Sequence, residues 1–180
     1  MLCRKDLELA FGEILHRGRR IGEIAVDGGA SLILQFDVNF VTKDVDVTID
    51  REHGAVEAAA HEVARRHDWP TSWMNEAVTV YLIGERSVSF FGNYPSESRV
   101  GLRVFVASPT YLLAMKLKAL RMNTRDSDDV VLLARQTGRT TVDALTSLYD
   151  AFFPAEALEP RKIVAIHEIV AKLDAPGDAR

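Results

Sequence analysis

A single cysteine, Cys3, is all the thiol this chain has. That excludes an internal disulfide and any thiolate cluster of the kind that holds zinc, and it fits a reducing compartment. Neither sign of charge dominates: 22 Lys and Arg against 26 Asp and Glu leave a net charge of −4. An acidic whole argues against a protein that coats nucleic acid through bulk electrostatics. No apolar run approaches the roughly 20 residues that span a bilayer. The opening MLCRKDLELAFGEIL carries Arg4, Lys5, Asp6, Glu8 and Glu13, where a signal peptide needs an unbroken apolar stretch. The expected address is the cytoplasm, with no membrane partner. The five histidines show no paired spacing beyond His61 and His67, and that gap of six does not put both on one helix face, so no zinc site is expected. Internal repeats and low-complexity tracts are absent as well.

What is there suffices for a core. The chain has 180 residues, 47% apolar and 27% charged, which suits one domain or one domain with a helical appendage. The segment to about residue 20 reads as an amphipathic helix with Leu2, Leu9 and Ile14 among its apolar positions. EIAV (23–26) is a short strand, stopped by Asp27-Gly28-Gly29. ASLILQF (30–36) suits a short helix directly after the glycines. DVDVTI (44–49) alternates as a strand does, and 53–66, rich in alanine, reads as helix. The stretch 68–75, with Trp69, Pro70 and Trp73, is expected to be loop. Strands follow at 77–83, 87–91 and 102–106, separated by Gly84 and by Gly92-Asn93-Tyr94-Pro95. Ser108-Pro109 opens a helix, and further helices are expected over 126–136, 142–153 and 161–173. The order predicts an α+β protein: a mixed sheet flanked by helices over 1–108, and a helical part over 109–180 packed on it.

Four features on that scaffold can carry chemistry. Gly28-Gly29 after a strand is either a tight turn or a place where bare backbone lets a phosphate approach the amides that start a helix. Asp44 and Asp46, two apart, share one strand face, with Val45 and Val47 on the other. Adjacent carboxylates repel, so they are either solvated or share a cation such as Mg²⁺. Lys116 interrupts the apolar stripe of Leu112 and Leu120, either as a snorkelling side chain or as a point charge for phosphate, whereas Lys118 is the natural solvent lysine. Asp126 and Asp129 suit the capped start of a helix.

Taken in order, strand, Gly-Gly, short helix, strand with Asp-x-Asp, later a helix with Lys and then Asp-x-x-Asp, the chain resembles the nucleotidyltransferase (DNA polymerase β-like) superfamily. The segments that carry the resemblance are AVDGGASLIL (25–34), TKDVDVTI (42–49) and YLLAMKLKALRMNTRDSDDVVLL (111–133). The subgroup it is most similar to is the small bacterial nucleotidyltransferase-like proteins related to the toxins of AbiE-type toxin–antitoxin pairs. The resemblance implies a Mg²⁺-dependent transfer of a nucleotidyl group from an NTP to an acceptor hydroxyl on RNA, tRNA or protein. It implies that Gly28 and Gly29, with Ser31 and Thr42, sit against the nucleotide phosphates. Asp44 and Asp46 would hold Mg²⁺, Lys116 would neutralise phosphate charge, and Asp129, with Asp126, would complete the acidic cluster or orient Lys116. An antitoxin partner belongs to the same expectation.

The chain departs from the family pattern at two places. Phe40 stands where members often carry an Arg two residues before the Thr, and LRVFVAS (102–108) offers no third strand carboxylate. A nucleotide-binding relative without transfer activity is therefore the alternative. Asp44-x-Asp46-x-Thr48 also resembles the nucleophile motif of haloacid dehalogenase-type phosphatases, but the residues before it are partly polar and no βαβ repeat follows. A third reading is a protein-interaction module with Trp69, Trp73, Phe90, Phe91 and Tyr94 as an aromatic contact surface. The basic clusters at Arg17, Arg19 and Arg20, at Arg65 and Arg66, and at Arg121 and Arg125 read as solvated helix faces, or, for the last pair, as contacts for an RNA acceptor end.

Overall fold

The computed structural model describes residues 1–14, 20–36, 40–76, 88–96, 100–121 and 125–174. They form an α+β chain that divides into two compact units, Met1–Ser108 and Pro109–Arg180. No described helix is long and apolar enough to cross a membrane.

In the first unit, α1 (Arg4–Glu13) begins where the Cys3 backbone N–H donates to Asp6 Oδ2 at 2.8 Å. That bond holds the Asp6 carboxyl below its ordinary range. Leu7, Ala10, Phe11 and Ile14 are buried, a spacing of three and four that makes one helix face. Leu9 lies off that face and is 52% exposed, so it is not one of the packing positions. Leu2 precedes the helix. Its backbone pairs with Thr42 instead, through bonds of 2.6 and 2.9 Å.

The chain continues through β1 (Ile21–Val26), α2 (Gly28–Gln35), β2 (Val45–Arg51), α3 (His53–His67), β3 (Met74–Asn75), β4 (Val88–Tyr94) and β5 (Gly101–Ala107). The strands form one sheet in the order β3-β2-β1-β5-β4. The central β1 runs antiparallel to β2 and parallel to β5. Ile24 and Val26, Val45 and Val47, and Leu102, Val104 and Val106 join Leu7, Phe11, Ile33, Val56 and Val63 in a single core. Alternation along β1, β2 and β5 sends these side chains into it. The short apolar run after Gly-Gly is helix, with Leu32, Ile33 and Leu34 all buried.

Two sequence expectations need correction here. The stretch 68–75 is not all loop: Thr71–Trp73 is a 3₁₀ turn and Met74–Asn75 pairs in parallel with Val45 and Asp46. Strand β4 does not stop at Phe91 but runs through Gly92 and Asn93 to Tyr94, because a bulge between Phe90 and Gly92 absorbs the extra residue. The strand expected over 77–83 lies outside the described residues.

The second unit is helical: α4 (Pro109–Ala119), α5 (Arg125–Thr137), α6 (Val142–Phe152) and α7 (Pro160–Asp174). Leu113, Leu117, Val130, Leu133, Leu145, Ile166 and Ile169 are buried. The Thr141 hydroxyl caps α6 by accepting the Ala144 amide at 3.2 Å. Lys118, expected in solvent, is instead tied down: its Nζ is 2.7 Å from Glu156 Oε1 and 4.5 Å from the centre of the Phe153 ring. The ammonium of Lys162 donates to the Lys118 carbonyl at 2.6 Å, satisfying an orphan acceptor at the end of α4.

Candidate functional site: a carboxylate-flanked turn on β1 and β2

Hydrogen bonding between β1 and β2 sets the geometry. Val26 stands opposite Val47, and one step further the Asp27 amide donates to the Asp46 carbonyl at 2.9 Å. The chain then turns into α2 through Gly28 at φ +60°, a left-handed conformation that favours glycine. A Cβ on residue 28 would stand 2.9 Å from Asp46 Oδ2, and one on residue 29 would stand 3.4 Å from Thr42 Oγ1. The backbone at both glycines is therefore approached by the side chains of the segment that enters β2. Thr42 is fixed twice, by its backbone pairing to Leu2 and by its hydroxyl, which donates to the Asp44 carbonyl at 2.9 Å. Gly28, Gly29, Thr42 and Asp46 thus come together in the first unit, with Asp44, exposed, at the entry to β2.

Ser31 has a different place. It is fully buried, and its hydroxyl accepts from the Gln35 amide at 3.0 Å while the same nitrogen reaches the Ala107 carbonyl at 2.9 Å. These bonds pin α2 to β5 behind the turn. They give the Ser31 side chain a packing role rather than an open face toward a phosphate.

Two sets of carboxylates escape a reading of the sequence. Asp27, nominally a turn residue, is 3% exposed; as N-cap of α2 it accepts the Gly28 amide at 2.7 Å. Only its adjacency to a Gly-Gly turn hinted at it. Further along β2, Asp50 lies near Glu23 and Glu76; burial, then the charges of those two glutamates, push its carboxyl above the ordinary carboxylate range. Glu23 also stands 3.1 Å from Arg103 and 3.6 Å from Arg51. Glu76 accepts the Ile49 amide at 3.0 Å and meets His53 at 2.6 Å.

Lys116, Asp126 and Asp129 form their own cluster in the second unit. Lys116 Nζ lies 2.7 Å from Asp129 Oδ2 and 3.3 Å from Asp126 Oδ1. Asp126 and Asp129, three apart on α5, share one helix face, so both reach the one ammonium. Asp126 does not cap the helix, because α5 already starts at Arg125. Arg121 Nε is 3.7 Å from Asp126 Oδ2.

The five aromatic residues of the interaction-module reading do not share one exposed surface. Trp73 is 1% exposed, while Trp69, Phe91 and Tyr94 pack against the core; of the five, Phe90 is the one with a largely exposed ring. The described basic side chains meet carboxylates: Arg20 meets Glu52, Arg65 meets Glu62, and Arg66 meets Glu13. Arg17, Arg19 and the side chain of Arg125 lie outside the described residues.

Among the described residues no group of three or more His, Cys, Asp or Glu side chains forms a cation cage. The carboxylate that the structure sets against the turn is that of Asp46, with Asp44 exposed two residues before it. Carboxylate oxygens are the donor type Mg²⁺ takes, one or two at a time, with water and substrate phosphates in its other positions. No family model, curated protein or solved structure matches the chain.

Proposed function

We propose that this chain is a Mg²⁺-dependent nucleotidyltransferase acting from an NTP on an acceptor hydroxyl. The observation that carries the proposal is the approach of Asp46 Oδ2 to the backbone of Gly28, which sets a carboxylate of an Asp-x-Asp strand against a strand–Gly-Gly–helix turn. The reading rests on the first unit alone. The amides that start α2 face the triphosphate, and the bare glycine backbone lets it come close. Asp44 and Asp46 would hold Mg²⁺, whose contribution is to neutralise charge on the phosphates and the leaving group. The acceptor oxygen bonds to the α-phosphorus, the bond from that phosphorus to its bridging oxygen breaks, pyrophosphate leaves, and the hydroxyl proton passes to water. Positioning would supply most of the effect, with the two reactants held in line. RNA, tRNA or protein as the acceptor, and the role of a toxin held by an antitoxin partner, belong to the same proposal.

A second reading is favoured by β5. It is the parallel neighbour of β1 and sets Arg103 and Phe105 opposite Glu23 and Ala25, with no carboxylate among its residues. This supports a nucleotide binder without transfer activity. Incubation with labelled NTPs, Mg²⁺ and total RNA separates the two. Incorporation of label that disappears in Asp44→Ala and Asp46→Ala supports the transferase. Thermal stabilisation by NTP without incorporation supports the binder, and no response to any NTP rejects both.

A further inference from the structure

We infer that Thr42 is a positioning residue for Asp44, a strut between the backbone of Leu2 and the entry to β2, and not itself a contact for phosphate. The inference rests on reading this turn as the nucleotide site. It gives Thr42 a role other than the phosphate contact that the resemblance implies. A threonine hydroxyl has a single O–H to donate. In Thr42 that proton is committed within the chain, where Oγ1 donates to the Asp44 carbonyl at 2.9 Å. A phosphate oxygen accepts, so it could take this proton only by breaking that bond.

The strut has a fixed base. The Leu2 amide donates to the Thr42 carbonyl at 2.6 Å, and the Thr42 amide donates to the Leu2 carbonyl at 2.9 Å. The two residues form an isolated antiparallel bridge. Leu2 is 4% exposed and belongs to the same core as Val45 and Val47, so the bridge is anchored in the body of the first unit. On its other side Thr42 Oγ1 stands 3.4 Å from the Cβ position of residue 29. The hydroxyl then reaches over Lys43 to hold the carbonyl of Asp44, the residue just before β2 begins at Val45. Asp44 is exposed. Packing constrains an exposed strand entry little, and the Thr42 hydroxyl supplies a constraint there. Groups that hold a metal ligand in place tune the affinity of the site without touching the metal.

Thr42→Val keeps the shape and removes the proton, whereas Thr42→Ser keeps the proton. The probes are ATP and the other NTPs in turn, titrated calorimetrically in excess Mg²⁺. Thr42→Val should weaken binding by about tenfold, the scale of losing a group that orients a metal ligand, and Thr42→Ser should restore it. The melting temperature of the unliganded protein should barely move, because the bond lies at exposed positions. A lower melting temperature with unchanged affinity would make the bond merely structural and overturn the inference. A double-mutant cycle with Asp44→Ala separates positioning from direct contact. If Thr42 acts through Asp44, Thr42→Val costs nothing further in that background. An equal loss in both backgrounds means that the hydroxyl meets the phosphate itself, which also overturns the inference. Asp44→Glu, which keeps a carboxylate, serves the cycle where Asp44→Ala binds too weakly to measure. Wild-type binding with an unaffected Thr42→Val overturns the inference and leaves the nucleotide site standing. Failure of wild type to bind any NTP in Mg²⁺ removes the site and the inference together.

Discussion

Asp46 Oδ2 occupies the space that a side chain on Gly28 would need: an ideal Cβ there falls 2.9 Å from that oxygen. The same residue sits at φ +60°, so a substitution meets two obstacles at once. The backbone conformation costs an L residue about 1–2 kcal/mol, and the carboxylate must move as well.

Gly28→Ala is therefore expected to lower the melting temperature by roughly 3–8 °C for a chain of this size. Gly29→Ala is the control. Its Cβ would stand 3.4 Å from Thr42 Oγ1, a contact that a small shift relieves, and alanine suits a helix better than glycine. Its stability should stay within about 0.5 kcal/mol of wild type. Adding Asp46→Ala to Gly28→Ala removes the clash but not the φ penalty, so the double variant should lose less than the sum of the singles. Thermal unfolding of wild type, the three single variants (Gly28→Ala, Gly29→Ala and Asp46→Ala) and the double variant checks this; equal losses at positions 28 and 29 would contradict it.

Lys116 and Asp129 give a second contrast. Their atoms are 2.7 Å apart and the side chains are 19% and 2% exposed. Removing one partner of a buried pair costs about 3–5 kcal/mol, so Lys116→Met should fall near the lower end of that range. Lys118→Met breaks a pair with Glu156 whose side chains are 36% and 51% exposed, and should cost about 1 kcal/mol or less. Asp129→Asn should recover part of the loss in the Lys116→Met background. Denaturant midpoints measure all of these. Similar costs at 116 and 118 would mean that the Lys116 pair is no stronger than a surface contact.

The Asp-x-Asp strand was legible in the sequence because every second residue of 45–47 faces the core, and period two survives in a single chain. The left-handed Gly28 was legible because glycine is the residue that such a turn favours. Asp27 was not. Its burial follows from the register that sets it beside Asp46, a pairing across 19 residues that no local pattern records. Strand β3, with two residues, is too short to carry any period. The extension of β4 hid behind Gly92-Asn93, which reads as a turn until the bulge at Phe91 shows how the ladder resumes. On α5 the spacing of Asp126 and Asp129 showed that they share a face, while the expectation that they orient Lys116 came from the resemblance and not from the spacing.

Trp73 offers a test of the core beside β2. Its ring is 1% exposed, its Nε1 donates to the Ala60 carbonyl at 2.9 Å, and it meets Trp69 edge-on with centroids 5.3 Å apart. Trp73→Phe loses that hydrogen bond and leaves part of the indole volume empty. The expected cost is about 2 kcal/mol, read from chemical denaturation. Trp69→Phe, at a half-exposed position, should cost clearly less. The reverse order would place the structural weight on Trp69 and leave Trp73 as an ornament of the turn.

The Asp50 carboxyl, although exposed, is raised above its ordinary value by partial desolvation and then by the charges of Glu23 and Glu76. The folded state therefore binds this proton more tightly than the unfolded chain does. Its contribution to stability is present at low pH and is lost as pH rises through the raised folded value. At neutral pH the ionised group opposes folding, and Asp50→Asn should raise stability, by less than about 1 kcal/mol because the side chain is largely exposed and screened. As the pH falls through the folded value the advantage should shrink, and below about 4, the usual aspartate range, both states of the wild type are protonated and the two proteins should converge. Melting temperatures of wild type and Asp50→Asn from pH 3 to 8 trace the effect. A gap that stays constant across that range would assign the gain to packing rather than charge, and a variant less stable than wild type at neutral pH would reverse the sign of the argument.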